Sequence, residues 1–212
     1  MIRKYQPSDR DEVRRICVET AFMGEPGNKF VDGDELLADF LTAYFTDCEP
    51  DSCFVAEEGG KVIGYLIGAK DCSKIGNVFV SKKALSLFLK AIFSGALFKL
   101  KNLCFIRGLI LGFLRGEFRQ PDFSRNYPAT LHINISSGFR GKGIGAQLIR
   151  EFFQYLKDNE VKAVHCATFS NKAACFFEKE GFSRIACFRR SYFHSLLKRD
   201  IEVYVYGKRI IL

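Results

Sequence analysis

The stretch from Thr130 to Gly145 places the strongest constraint on how this chain can fold. Leu131, Ile133 and Ile135 alternate with polar residues, which is the period-2 pattern of a half-buried strand. A glycine-rich turn follows, and after it apolar residues recur at three- and four-residue steps, which predicts an amphipathic helix. Because the first N–H groups of a helix have no intrahelical acceptor and the helix dipole favours negative charge there, this arrangement predicts a site for an anionic ligand.

The glycine spacing discriminates between the known phosphate-binding turns. A nucleotide P-loop requires Ser or Thr after Gly-Lys, but Gly143 follows Gly141-Lys142 here. Gly141, Gly143 and Ala146 satisfy a Gly-x-Gly-x-x-Ala dinucleotide pattern. That pattern also needs an acidic residue near the end of the next strand, and the strand predicted over residues 161–168 ends without one. A glycine turn without a ligand remains the alternative.

A second patterned segment follows at once. A strand over residues 162–168 leads to Ser170 and Asn171, either of which can cap a helix. The small residues Ala173 and Ala174 would let a ligand approach closely, and Gly181 suits the left-handed position after the last helical residue. The segment thus predicts a strand, a capped helix and a glycine stop beside the first turn.

These two segments carry a family resemblance. Arg-x-x-Gly-x-Gly at Arg140, Gly143 and Gly145 resembles the pyrophosphate loop of the GNAT N-acetyltransferases, which hold acetyl-coenzyme A. The segment from Ser170 to Phe182 resembles the second signature of that family. The phrase at residues 127–133 is similar to one in a bacterial subgroup, and in the acetyltransferase-like domain of O-GlcNAcases.

The resemblance implies the fold. It implies an α+β (mixed α/β) acyl-CoA N-acyltransferase fold, in which helices flank a central mixed, mostly antiparallel sheet with a splayed strand pair. The chain, residues 1–212, is predicted to be a single domain with a helical insert at about residues 82–126. For that insert we consider an added helical layer, a substrate lid or channel wall, a dimer surface and a membrane-surface amphipathic helix.

The resemblance also implies a binding site for acetyl-CoA. The strand edge, the loop N–H groups, the second helix cap and its aromatic residue would hold this cofactor, which assigns to it Ile133, Ile135, Arg140, Gly141, Lys142, Gly143, Ile144, Gly145, Ser170, Asn171 and Phe177. No metal site is predicted.

Transfer of an acetyl group to an amine requires a base, because the amine is protonated at neutral pH. His165 is our first candidate, since it lies on the strand just before Ser170, where some family members carry a catalytic Glu. His132 is the second. Each has the alternative of a half-buried histidine that is satisfied by the backbone.

One position departs from the family pattern. The aromatic residue four before Gly181 is usually a Tyr that can protonate the departing thiolate, and here it is Phe177. Two functions therefore remain open. The first is an N-acetyltransferase that acts on a primary amine of a small molecule or peptide, and the second is a catalytically silent acetyl-CoA-binding or interaction module.

Composition narrows the partners and the setting. The net charge is +8, but residues 1–80 carry −6 and residues 81–126 carry +7. The part of the chain after residue 80, which is basic and contains the glycine turn, would attract the phosphates of coenzyme A. No nucleic-acid-binding motif accompanies this charge. No stretch resembles a transmembrane segment or a signal peptide, and eight cysteines without paired spacing fit a reduced cytoplasm. We expect a monomer or homodimer.

Overall fold

A computed structural model describes residues 1–210, apart from the side chains at positions 79, 80 and 82. The strands of this part of the chain are β1 (Ile2–Lys4), β2 (Phe54–Glu58), β3 (Lys61–Ala69), β4 (Ala129–Ile135), β5 (Ala163–Thr168), β6 (Ser183–Arg190) and β7 (Ile201–Arg209). The helices are α1 (Arg10–Thr20), α2 (Asp34–Cys48), α3 (Ser73–Lys82), α4 (Ala84–Phe93), α5 (Leu100–Leu114), α6 (Ile144–Asp158), α7 (Asn171–Lys179) and α8 (His194–Leu197).

The described strands form one sheet in the order β1-β2-β3-β4-β5-β7-β6. Neighbouring strands run antiparallel except for β4 and β5, which are parallel. The predicted α+β class with a mixed, mostly antiparallel sheet is therefore confirmed.

The parallel pair is joined only where its strands begin. Ala129 is in register with Val164, and Thr130 with His165, and no pairing follows. Beyond that point β4 continues to Ile135 bonded only to β3, while β5 continues bonded only to β7. The two strands thus diverge and leave facing backbone edges, which confirms the predicted splay.

The main core lies on the face of the sheet that α6 and α7 cover. The predicted apolar stripe of α6 is buried there, with Leu148, Phe152 and Leu156 fully enclosed. A second cluster on the other face packs Ile16 of α1 against Tyr65 of β3. Since both faces are covered, β3 is buried along nearly its whole length.

The insert is longer than the sequence pattern indicates. Its first helix, α3, begins at Ser73, before the predicted boundary at about residue 82. Because Gly76 and Asn77 are poor helix formers, the sequence pattern does not predict this helix. Buried Asn102 attaches the insert to the segment before α2, because its Nδ2 donates to the carbonyl oxygen of Asp32 and its Oδ1 accepts from the N–H of Asp32, at 2.7 Å each.

The helices of the insert are also too short to cross a membrane. Among the described residues, no helix is both long and apolar enough to be a membrane span.

Candidate active site

The glycine loop between β4 and α6 is shaped to hold an anion. Gly141 and Gly143 have φ angles of 79° and 76°, the left-handed region that favours glycine. A Cβ atom added at either position would meet no atom within 4 Å, so both border open space. Among the described residues, the backbone N–H groups from Gly141 to Ala146 have no hydrogen-bond acceptor. They form a row of donors at the start of α6.

Gly145 is needed for close packing between α6 and α7. A Cβ atom there would lie 3.0 Å from Cζ of Phe176 on α7. The absence of a side chain therefore lets the first turn of α6 approach α7. This contact brings the two predicted signatures together in space.

Arg140, one of the residues predicted to bind the cofactor, is held in place by two backbone carbonyl groups. Its Nε donates to the carbonyl oxygen of Ile135 at 2.9 Å, and its Nη2 donates to that of Gly24 at 2.8 Å. The side chain thus ties the glycine loop to the segment between α1 and α2. The guanidinium group of Arg140 also places a positive charge near the loop.

A large cavity of about 1200 Å³ connects the glycine loop with the insert. It passes between the diverging parts of β4 and β5, and its lining is mostly apolar. Its volume exceeds the roughly 300–1,000 Å³ of a usual ligand pocket, so it has room for a cofactor arm and a second molecule. The insert forms a wall of this cavity through Leu87, Phe88, Ala91, Ala96, Leu97, Asn102, Phe105, Ile106, Leu109 and Phe118.

Most residues predicted to bind the cofactor line this cavity. They are Ile133, Ile135, Arg140, Gly141, Gly143, Ile144, Gly145, Ser170 and Phe177. Two predicted residues are not among the lining residues. Lys142 places its Nζ 4.8 Å from the centre of the Phe139 ring, and Asn171 is the exposed first residue of α7.

The cap of α7 is resolved in favour of one of the two candidates. Ser170 is the cap residue, and its side chain accepts from the N–H of Ala173 at 3.4 Å. Gly181 has a φ of 79° just after the helix, as predicted. These ends fix α7 beside the cavity.

The structure places His165 away from the cavity. It lies at the paired end of β4 and β5, and is absent from the cavity lining. Its Nδ1 is 2.8 Å from the carbonyl oxygen of Tyr127, to which it donates, and its ring lies 6.0 Å from that of Phe123. Burial lowers the pKa of His165, although the carbonyl contact acts against this. The geometry is that of a structural histidine.

His132, the second candidate, lines the cavity in the middle of β4. Burial alone lowers its pKa to about 4, so the imidazole is neutral at physiological pH. Its Nε2 lies 3.4 Å from Nδ2 of Asn134, which is long for a hydrogen bond and leaves the lone pair weakly engaged. Nδ2 of Asn134 also donates to the hydroxyl of Tyr65 at 2.8 Å. Asn134 therefore connects the histidine to the buried core.

Phe177 is buried and cannot supply a proton. Its ring packs 6.1 Å from that of Tyr206, whose hydroxyl donates to Oε1 of Glu178 at 2.7 Å. Tyr206 is not among the cavity-lining residues, whereas Tyr192 is. Burial raises the pKa of Tyr192, so its hydroxyl keeps its proton at neutral pH.

Sequence reasoning missed much of the side of the cavity that faces the insert. An aromatic cluster there joins Phe30, Phe105 and Phe193, with ring centres 5.3 to 5.8 Å apart. The three residues come from the α1–α2 segment, the insert and the segment before α8. No spacing in the sequence links them, since only the fold brings the segments together.

The low pKa of His132 has a consequence for stability. The unfolded histidine takes up a proton near pH 6.5 and the folded one only near pH 4, so stability is full above pH 6.5 and falls as the pH drops towards 4. We expect His132 to account for a loss of about 2 kcal/mol in the free energy of unfolding between pH 7 and pH 4, because its partial exposure to solvent reduces the full value implied by the pKa shift. When urea unfolding is measured at about pH 7 and about pH 4, the His132→Gln variant should lose less free energy of unfolding between the two pH values than the parent protein does. An unchanged difference between the two pH values would contradict the assignment.

Comparison with known proteins identifies part of the chain directly. Residues 101–184 match the family model of the acetyltransferase (GNAT) domain. This range contains β4, the glycine loop, α6, β5 and α7. No curated protein sequence matches the chain significantly.

Solved structures resemble the whole chain. SsHAT is 22% identical with a TM-score of 0.71, covering 100% of this chain and 98% of its own. A Drosophila melanogaster polyamine N-acetyltransferase that forms N-acetylagmatine is 15% identical with a TM-score of 0.63, covering 99% of each chain. The yncA protein of Salmonella typhimurium, solved with its cofactor acetyl-CoA, is 14% identical with a TM-score of 0.58, covering 100% of this chain and 94% of its own. At these identities the likeness concerns the fold.

Proposed function

We propose that this chain is a GNAT acetyltransferase, because residues 101–184 match that family model, and that it transfers the acetyl group of acetyl-CoA to a primary amine. One observation carries the proposal. The unpartnered N–H groups from Gly141 to Ala146 lie at one end of a cavity that passes between two diverging strands. Such a row suits a pyrophosphate, and the free edge of β4 beyond Thr130 suits an amide-containing arm. Acetyl-CoA, when bound, supplies the thioester that donates the acetyl group.

We propose His132 as the group that accepts the proton of the amine. It is neutral at physiological pH and lines the cavity, whereas His165 lies beside Tyr127 and is not among the cavity-lining residues. A mostly apolar cavity also lowers the pKa of the amine, because it disfavours the ammonium form. A weakly basic imidazole therefore suffices as acceptor.

The departing thiolate needs a proton that Phe177 cannot give. We propose that water or the hydroxyl of Tyr192 supplies it, since Tyr192 lines the cavity and keeps its proton at neutral pH. The alternative function, a catalytically silent acetyl-CoA-binding module, is favoured by Phe177 alone. Binding of acetyl-CoA without turnover on any amine would decide for that alternative.

The cavity lining favours an acceptor with an apolar body and a single amino group. Only two acidic side chains are among its lining residues. One of them, Asp32, pairs with Nζ of Lys101 at 3.0 Å, and the other, Glu180, follows the end of α7. Each further ammonium group of a polyamine would need its own carboxylate, because an unpaired buried charge is costly.

The acceptor class can be tested with an amine panel. We expect kcat/KM to be at least about tenfold higher for octylamine or phenylethylamine than for agmatine or spermidine, since one unmatched polar group in a buried site costs about 1–3 kcal/mol. The release of coenzyme A reports the rate. A preference for spermidine would contradict the acceptor class while confirming acetyl transfer. Failure with every amine would instead count against the transferase function.

The setting of the reaction is also a proposal. All eight cysteines are free thiols in the structure, which fits a reducing cytoplasm. That the protein is a monomer or homodimer stays a prediction, which sedimentation velocity would test. The resemblance to the subgroup that includes the acetyltransferase-like domain of O-GlcNAcases also stays a prediction. That nucleic acid is not a partner likewise stays a prediction.

A further inference from the structure

The insert carries an unusual concentration of exposed apolar surface. Of the thirteen large apolar side chains that are strongly exposed in the described residues, eleven lie between Leu85 and Phe118. Phe93 is 84% exposed, and Leu100 is 77% exposed. Apolar residues scattered singly over a surface need no explanation, but a concentration within one segment marks an interaction site.

On α5 this surface is one face of a helix. Leu100, Leu103, Ile110 and Leu114 are exposed and recur at helical spacing, with Arg107 among them. The opposite face of α5, including Phe105 and Leu109, lines the cavity. The exposed face of α5 is therefore not the face that packs against the rest of the chain. The helix α4 is divided in the same way, because Leu87 lines the cavity while Leu89 is exposed.

The insert itself contributes charges of one sign, and three of its lysines, Lys83, Lys90 and Lys101, pair with carboxylates of neighbouring segments. Residues 73–116 contain eight Lys and Arg and no Asp or Glu. Lys99, Arg107 and Arg115 form no ion pair with any described residue. Their positive charge is thus available to a partner outside the chain.

We propose that α4 and α5 dock on the surface of a bilayer that contains anionic lipid. The exposed apolar side chains would enter the boundary between headgroups and acyl chains, and the Lys and Arg side chains would contact the lipid phosphates. A second copy of the chain is a poorer occupant. A two-fold contact would bring the unpaired Lys99, Arg107 and Arg115 of the two copies together, so their like charges would repel.

Co-sedimentation with vesicles tests this docking. One set contains phosphatidylcholine with about one third phosphatidylglycerol, and the other contains phosphatidylcholine alone. We expect the protein to partition roughly tenfold or more better onto the anionic vesicles at about 0.1 M salt, because several cations each contribute to binding. High salt should weaken this preference.

Two sets of variants separate the apolar from the ionic contribution. Leu103→Ser with Ile110→Ser and Leu114→Ser should reduce partitioning about tenfold, because three apolar side chains no longer enter the membrane. Lys99→Gln with Arg107→Gln should remove much of the preference for anionic vesicles. The matched control removes two exposed cations from α6, by Arg150→Gln with Lys157→Gln, and should leave partitioning unchanged.

Two results would overturn the proposal. One is equal partitioning onto both kinds of vesicle. The other is a dimer in sedimentation velocity without vesicles that the triple serine variant dissociates, which would assign the surface to a second copy. Circular dichroism of each variant verifies folding, and the charge variant alone still decides if the serine variant is unfolded.

Discussion

Gly143→Val should weaken the binding of acetyl-CoA about 100-fold or more. Gly143 has a φ of 76°, a conformation that a β-branched residue adopts only at a cost of roughly 1–2 kcal/mol. Its new side chain would also enter the open space in front of the loop N–H groups. Each lost hydrogen bond to a phosphate costs about 1.5–3 kcal/mol, so the loss of one or two accounts for the expected change. Isothermal titration calorimetry measures it.

The control is a glycine under the same backbone demand but far from the loop. Gly59, in the turn between β2 and β3, has a φ of 59° and also borders open space. Gly59→Val should therefore lower stability to a similar extent without changing the affinity for acetyl-CoA. Equal affinity in the Gly143 variant and the parent protein would refute the assignment of the loop.

His132→Ala should lower kcat about 10²-fold, the usual scale for loss of a general base. Binding of acetyl-CoA should be nearly unchanged, because His132 projects from β4 while the loop N–H groups hold the phosphates. His165→Ala is the matched control, since His165 is a partly buried histidine on the adjacent strand that does not line the cavity. We expect this variant to retain most of the parental kcat.

The dependence on pH gives an independent test of the base. Because burial lowers the pKa of His132 to about 4, its protonation does not change between pH 6 and pH 8. After correction for the ionisation of the amine, kcat/KM should show no inflection near 6.5. An inflection there that disappears in His165→Ala would restore His165 as the base.

Some features of this protein are local enough to be set by the sequence alone. The period of β4, the glycine spacing from Gly141 to Gly145 and the apolar stripe of α6 follow from the residue pattern. The structure confirms these elements within a few residues at their ends. The proposed anion site consists of backbone groups, so the turn alone was sufficient to predict it. The cap at Ser170 and the stop at Gly181 are local in the same sense.

Tertiary structure decided everything that depends on distance between strands. Both candidate bases, His132 and His165, occupy strands, and the sequence favoured His165. The cavity exists only where β4 and β5 diverge, and this leaves His165 at the closed end and His132 beside the opening. Likewise, no local pattern shows that Arg140 bonds to Gly24, or that Phe105 of the insert meets Phe30. Local sequence fixes the period and the ends of an element, whereas the neighbours of a side chain depend on how distant elements pack.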